Sequence, residues 1–208
     1  MELMAILLAV AGLWAVAVVT PGPNALVVAR IAMAETFAGA WFATLGICSG
    51  TICWGAAGFF GISLLFTCAP WLYLGLKVCG GAYLVFLGIR SLAAARRGCA
   101  QLDGESLRRR TAPGDAWRLG LVTNLTNPKT AAFVGSLFAA SLPPDPPLWV
   151  GLLCIGLMAA ISLAWYSLLA WLLSGRRCAT AYARGRHWIE RCAGLIFIAF
   201  GLRLASGR

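Results

Sequence analysis

The chain has 208 residues, of which 61% are hydrophobic and 12% charged, and its mean hydropathy is +0.83. A soluble domain is about 45–50% apolar and about 25% charged. Both departures run the same way, so the composition excludes an ordinary soluble domain and points to an integral membrane protein with a net charge of +10.

Three long stretches carry no charge: Leu3–Ala29, Thr36–Leu76 and Pro146–Gly175. A spanning helix needs about 20 apolar residues. The sequence therefore predicts six spans, at 3–33, 38–66, 70–95, 118–141, 147–174 and 187–205. The fold class is all-α, a six-helix polytopic membrane protein; the two-residue alternation of barrel strands is absent. Trp41, Trp71, Trp117, Trp149 and Trp188 fall near span starts, where an aromatic belt lies.

The first span contains Thr20-Pro21-Gly22-Pro23-Asn24 within its charge-free run. Glu2, the lack of a basic lead-in and the continuation of the apolar run past the prolines argue against a cleaved signal peptide. Proline removes a backbone donor and displaces the carbonyl four residues back. A break is predicted here, with a fresh helix start near Asn24 or Ala25.

In the second span Gly46-x-x-x-Gly50, with Gly55, Gly58 and Gly61 beyond, offers a face for close helix approach. Cys68-Ala69-Pro70-Trp71 supplies the turn into the third span. The stretch Arg96–Arg118 reads as a flexible cytoplasmic loop whose arginines set topology and attract anionic lipid rather than nucleic acid. The fourth span carries a second breaker cluster, Asn124-Leu125-Thr126-Asn127-Pro128-Lys129-Thr130. Ser49, Thr51, Ser162 and Ser167 are expected to bond their own preceding turns rather than line a path.

The sixth span opens with His187 and Glu190, read as interfacial charges at a helix start. No Asp or Glu falls in the interior of a predicted span, so Glu190, His187 and Asp145 are proton carriers by elimination only. The 8 cysteines form no CxxC pair, and a single histidine supports no His-rich metal site. No cofactor or metal is expected.

The chain also repeats itself. KVCGGAYLVFLGIRSL at 77–92 aligns with ERCAGLIFIAFGLRLA at 190–205, matching Cys79 with Cys192, Gly81 with Gly194, Gly88 with Gly201 and Arg90 with Arg203. Pro23 in the first span has its counterpart in Pro128 in the fourth. One transmembrane domain, 1–208, then consists of repeat one (about 1–95), the basic loop (about 96–117) and repeat two (about 118–208). Each repeat has an odd number of spans, so the second copy enters the membrane inverted. In such folds, broken segments at matching positions mark the binding site.

Unsatisfied backbone groups are costly in hydrocarbon, so two breaks must face protein or water. Fresh helix N-termini suit a carboxylate, and freed carbonyls suit an ammonium. Thr20, Pro21, Gly22, Pro23, Asn24, Asn124, Asn127, Pro128 and Lys129 are the candidate substrate-binding residues, with Thr123 and Thr126 as further neutral groups. Lys129 is the one fixed charge nearby. A small zwitterion, such as an amino acid, matches the layout.

The basic residues set the orientation. Of the 17, thirteen fall in the connections after spans one, three and five, while Lys77, Lys129, Arg203 and Arg208 fall on the other side. The positive-inside rule puts both termini outside.

TPGPNALVVAR (20–30), LKVCGGAYLVFLGIRSL (76–92) and GLVTNLTNPKTAAFVGSLFAASLP (120–143) resemble the LysE/RhtB family of amino-acid exporters over nearly the whole chain. The resemblance implies a six-span inner-membrane protein, not an enzyme, that expels amino acids by a proton gradient or by exchange. It matches Pro21, Gly22, Pro23, Asn24, Asn127, Pro128 and Lys129 to the family's motif. The segment AASLPPDPPLW (139–149) departs from it. With no counter-ion in the spans, neutral or small polar substrates are favoured over basic ones. The expected partners are an amino-acid substrate, a proton or counter-ion gradient, membrane lipid and a second copy in a homodimer.

Two other classes compete. An inverted-repeat channel for small polar solutes shares the paired Asn-Pro breaks but needs further re-entrant segments. An intramembrane serine protease would need a Ser such as Ser49 within reach of His187.

Overall fold

In a computed structural model the described residues, 2–34, 37–68, 70–96, 111–143 and 146–205, form eight helices and no strand. These are α1 (Glu2–Val19), α2 (Pro23–Ala34), α3 (Phe37–Cys68), α4 (Pro70–Arg96), α5 (Pro113–Leu125), α6 (Pro128–Ser141), α7 (Leu148–Leu173) and α8 (Arg176–Ala205). Asp145, Cys99, Arg208 and the loop arginines from Arg97 to Arg110 lie outside the described residues.

Two predicted spans are divided in two. The first becomes α1 and α2, bent by 54°, and the fourth becomes α5 and α6. Proline sits at the start of α2, α5 and α6, where its missing N–H costs nothing because first-turn donors have no intrahelical partner. Pro113 starts α5 inside the stretch expected as loop, and α8 begins at Arg176, well ahead of the predicted residue 187.

Among the described residues α3, over Phe37–Gly61, and α7 are long and apolar enough to cross a membrane, and α1 with α2 makes a third such span. α5 and α6 have 13 and 14 residues, about 20 Å each at 1.5 Å per residue. Among its described residues α4 has an apolar stretch at Gly81–Ala93, and α8 starts with a basic segment.

One buried cluster draws on α1, α2, α3, α4, α6, α7 and α8. α3 packs on α5 and α7, and α4 packs on α8 and α6. The broken pairs meet each other, α1 against α6 and α2 against α5. Glycine permits the closest crossings. A Cβ on Gly46 would stand 2.0 Å from the Trp117 carbonyl oxygen, and one on Gly120 the same distance from that of Ala43. Where α4 crosses α8, a Cβ on Gly88 would lie 2.5 Å from the Gly194 carbonyl oxygen, and one on Gly201 2.5 Å from that of Gly81. Gly61, by contrast, faces nothing within 4 Å.

Candidate functional site

At the first break Thr20 N–H donates to the Val16 carbonyl and closes α1, and Leu26 N–H donates to the Gly22 carbonyl and opens α2. In an unbroken helix the Ala17 carbonyl would take the N–H of residue 21, which is proline and has none. At the second break Asn127 N–H donates to the Asn124 carbonyl. The Asn127 side chain is the N-cap of α6: its Oδ1 accepts from Lys129 N–H at 3.0 Å. Asn and Asp favour this position because their side-chain oxygen satisfies a first-turn donor.

The two breaks touch. Asn127 Nδ2 donates to Asn24 Oδ1 at 3.3 Å, and both residues are buried. Lys129 Nζ donates to the carbonyl oxygens of Ala17 (3.1 Å) and Thr20 (3.0 Å) and lies 5.6 Å from the centroid of the Phe197 ring. The carbonyls freed at the first break, expected to be open to an ammonium, are thus filled by the lysine of the other break. These are charge-assisted bonds at the negative end of α1.

Two cavities flank this contact. One, of about 370 Å³, is lined by Pro21, Gly22, Pro23, Asn127, Pro128 and Lys129 together with Tyr83, Arg90, Ser91 and Glu190. The other, of about 20 Å³, lies among Trp14, Thr20, Asn24, Thr51, Thr130 and Ser162. That is room for about one water. Gly22, Asn127 and Lys129 line both.

Eight of the nine candidate residues therefore gather at the crossing. Asn124 is the exception. It is buried but lies off both cavities, against Gly50 and Thr51 of α3, where its Nδ2 donates to Thr51 Oγ1 at 3.4 Å. Its Oδ1 has no hydrogen-bond partner among the described residues. Thr126 is exposed and bonds back to Val122, and Thr123 lines neither cavity.

Glu190 requires a correction. It sits well inside α8, only 5% exposed, and lines the larger cavity. The early start of α8 turns a predicted helix end into a helix interior. His187 is half-buried and lines neither cavity, and no hydroxyl–histidine pair forms at Ser49, which bonds the Leu45 carbonyl.

Several lining residues carry no motif. Trp14 Nε1 donates to the Met158 carbonyl and to Ser162 Oγ, both at 2.9 Å, tying α1 to α7. Trp14, Phe133 and Phe197 form a row of rings with centroids 6.0 and 5.5 Å apart. Of the four hydroxyl residues, Ser49, Thr51 and Ser167 bond their own preceding turns as expected, while Thr51 and Ser162 line the small cavity.

The LysE type translocator family matches residues 15–208. The threonine efflux protein of Escherichia coli (strain K12) is 28% identical over 206 residues, covering 99% of this chain and 100% of the relative. The threonine efflux protein of Salmonella typhimurium gives the same figures. The Escherichia coli membrane protein YahN is 29% identical over 194 residues, covering 93% of this chain and 86% of the relative. No solved structure matches.

Proposed function

The chain belongs to the LysE type translocator family, a transporter and not an enzyme, and on that premise we propose that it exports a small neutral amino acid across the cytoplasmic membrane. Threonine, or a small zwitterionic relative of it, is the substrate favoured by the names of its relatives. The transporter is built from two inverted repeats, α1–α4 and α5–α8, with the substrate held where the two broken pairs meet. The α4–α8 crossing supports the inversion. The internal alignment pairs Gly81 with Gly194 and Gly88 with Gly201. The close contacts, Gly88 to Gly194 and Gly201 to Gly81, are exchanged by that pairing, as a two-fold axis between the helices requires.

The observation that carries the reading is the meeting of the breaks, with Lys129 and Asn127 of one repeat bonded to α1 and Asn24 of the other. A cavity of about 370 Å³ falls in the size range of small-molecule sites, about 300–1,000 Å³. The positive-inside bias puts its Arg90 end in the cytoplasm, the side from which an exporter loads. Beyond Lys129 lies the small cavity of about 20 Å³, a narrowing that supports a carrier over an open pore. The described charges lining the larger cavity are Arg90 and Lys129 against Glu190. One surplus cation suits a carboxylate and a side chain that adds no further positive charge.

Cells overproducing the chain and preloaded with an amino-acid mixture are expected to release a subset, threonine included, faster than control cells. Asn24→Ala and Asn127→Ala abolish that release while the protein stays in the membrane. Wild-type export by both variants removes the pair from the site.

A further inference from the structure

Resting on the exporter reading, we propose that the substrate loads by inserting between the Lys129 ammonium and the Ala17 and Thr20 carbonyls that it now holds. Those two carbonyls and the face of Phe197 form a receptor for a primary ammonium, and Lys129 is its tethered occupant. The receptor has access to both cavities, because Lys129, Gly22 and Asn127 are the partition between them. Gly22 flanks the ammonium, and a Cβ there would already be in contact with Lys129 Nζ, at 3.7 Å.

The exchange conserves interactions. The incoming ammonium takes the two carbonyls and the aromatic face, and the released Lys129 donates to the incoming carboxylate. A carboxylate without an amine draws Lys129 away but leaves two carbonyls at the end of α1 unpaired. An amine without a carboxylate fills the carbonyls but leaves Lys129 facing a second cation. Only a molecule with both groups satisfies both sides, so selection for zwitterions is built into the contact. Insertion also replaces the direct tie between α1 and α6 by a longer, ligand-mediated one, and so parts the partition.

A purely structural lysine cap makes a different prediction, and Lys129→Met separates the two. This variant vacates the receptor. Purified in detergent, it should be stabilised against thermal unfolding by ethylammonium chloride, with an apparent affinity at least about tenfold above that of the wild type, where Lys129 competes. Potassium chloride is the control. Folded Lys129→Met, judged by helicity and elution volume, that ethylammonium leaves no more stable than potassium chloride does would overturn the proposal. So would an equal response of the wild type. If Lys129→Met does not fold, Lys129→Leu, which also lacks a donor, takes its place with the same expected response. In wild-type proteoliposomes threonine should exchange, while its decarboxylated amine and its deaminated hydroxy acid should not; exchange of either analogue at a comparable rate refutes insertion. The ethylammonium response does not depend on which amino acid is carried. Wild type inert to threonine beside a responsive Lys129→Met would therefore fault the substrate assignment alone.

Discussion

Asn127 does two jobs with one side chain, and its removal should show both. Its Oδ1 caps α6 through Lys129 N–H, and its Nδ2 holds Asn24 Oδ1. Losing an N-cap costs about 0.5–2 kcal/mol, and leaving a buried acceptor unpaired costs about 1–3 kcal/mol. Asn127→Ala should therefore destabilise by about 1.5–5 kcal/mol. Asn24→Ala strips only the bond between the two breaks and leaves one donor unpaired, for about 1–3 kcal/mol. Because both variants lose the same bond, the double variant should fall short of their sum by about 1–3 kcal/mol. Asn127→Asp keeps the capping oxygen, and its carboxylate can accept from the Asn24 amide once that group turns over. It should therefore cost less than Asn127→Ala by at least the worth of the cap, about 1 kcal/mol. Unfolding of the purified variants in detergent measures all four. Additivity within about 0.3–0.5 kcal/mol would show that the two asparagines share no bond, and the breaks would then not be coupled.

Two further expectations concern α4 and α8. Gly88→Ala and Gly201→Ala each drive a methyl into a facing carbonyl at 2.5 Å. Each should cost at least about 1–3 kcal/mol and lower the unfolding midpoint. Gly135→Ala and Gly156→Ala meet nothing within 4 Å and should be neutral or stabilising by up to about 1 kcal/mol; equal losses at all four would remove the crossing as the cause. Glu190→Gln keeps the shape and removes the negative charge from the larger cavity. Release from preloaded cells should fall by roughly tenfold or more, at unchanged membrane abundance, since breaking up buried charge costs about 2–5 kcal/mol; unchanged release places Glu190 outside the path.

The breaks were legible because proline and asparagine act locally: Pro21, Pro23 and Pro128 end or start helices wherever they stand. What filled the freed carbonyls was not legible. Lys129 lies 112 residues from Ala17, and composition says only that some donor must arrive. The burial of Glu190 left a signal that charge counting passed over. It stands one helical turn before Gly194, on the face that packs against α4, so the internal repeat marks it as inward-facing. Asn124 likewise shares a face with Gly120, one turn away, and Gly120 packs on α3. That spacing turns Asn124 away from the cavities, whereas its place inside the breaker cluster suggested the opposite.

The two breaks are closed in different ways, and the difference gives their contact a direction. Each break leaves backbone groups that hydrocarbon cannot satisfy. The second is closed from within, by Asn127 turning back on its own helix. The first is closed from outside, by Lys129 reaching across the interface. A contact within one broken pair persists through any motion between the pairs, but a contact made across them does not. Were the pairs to part, the carbonyls of α1 would lose Lys129, while the cap of α6 would be untouched. The crossing thus carries two carbonyls in need of a donor on one side and a tethered ammonium on the other. On the exporter reading proposed above, a free amino acid supplies both what the first lacks and what the second can bind.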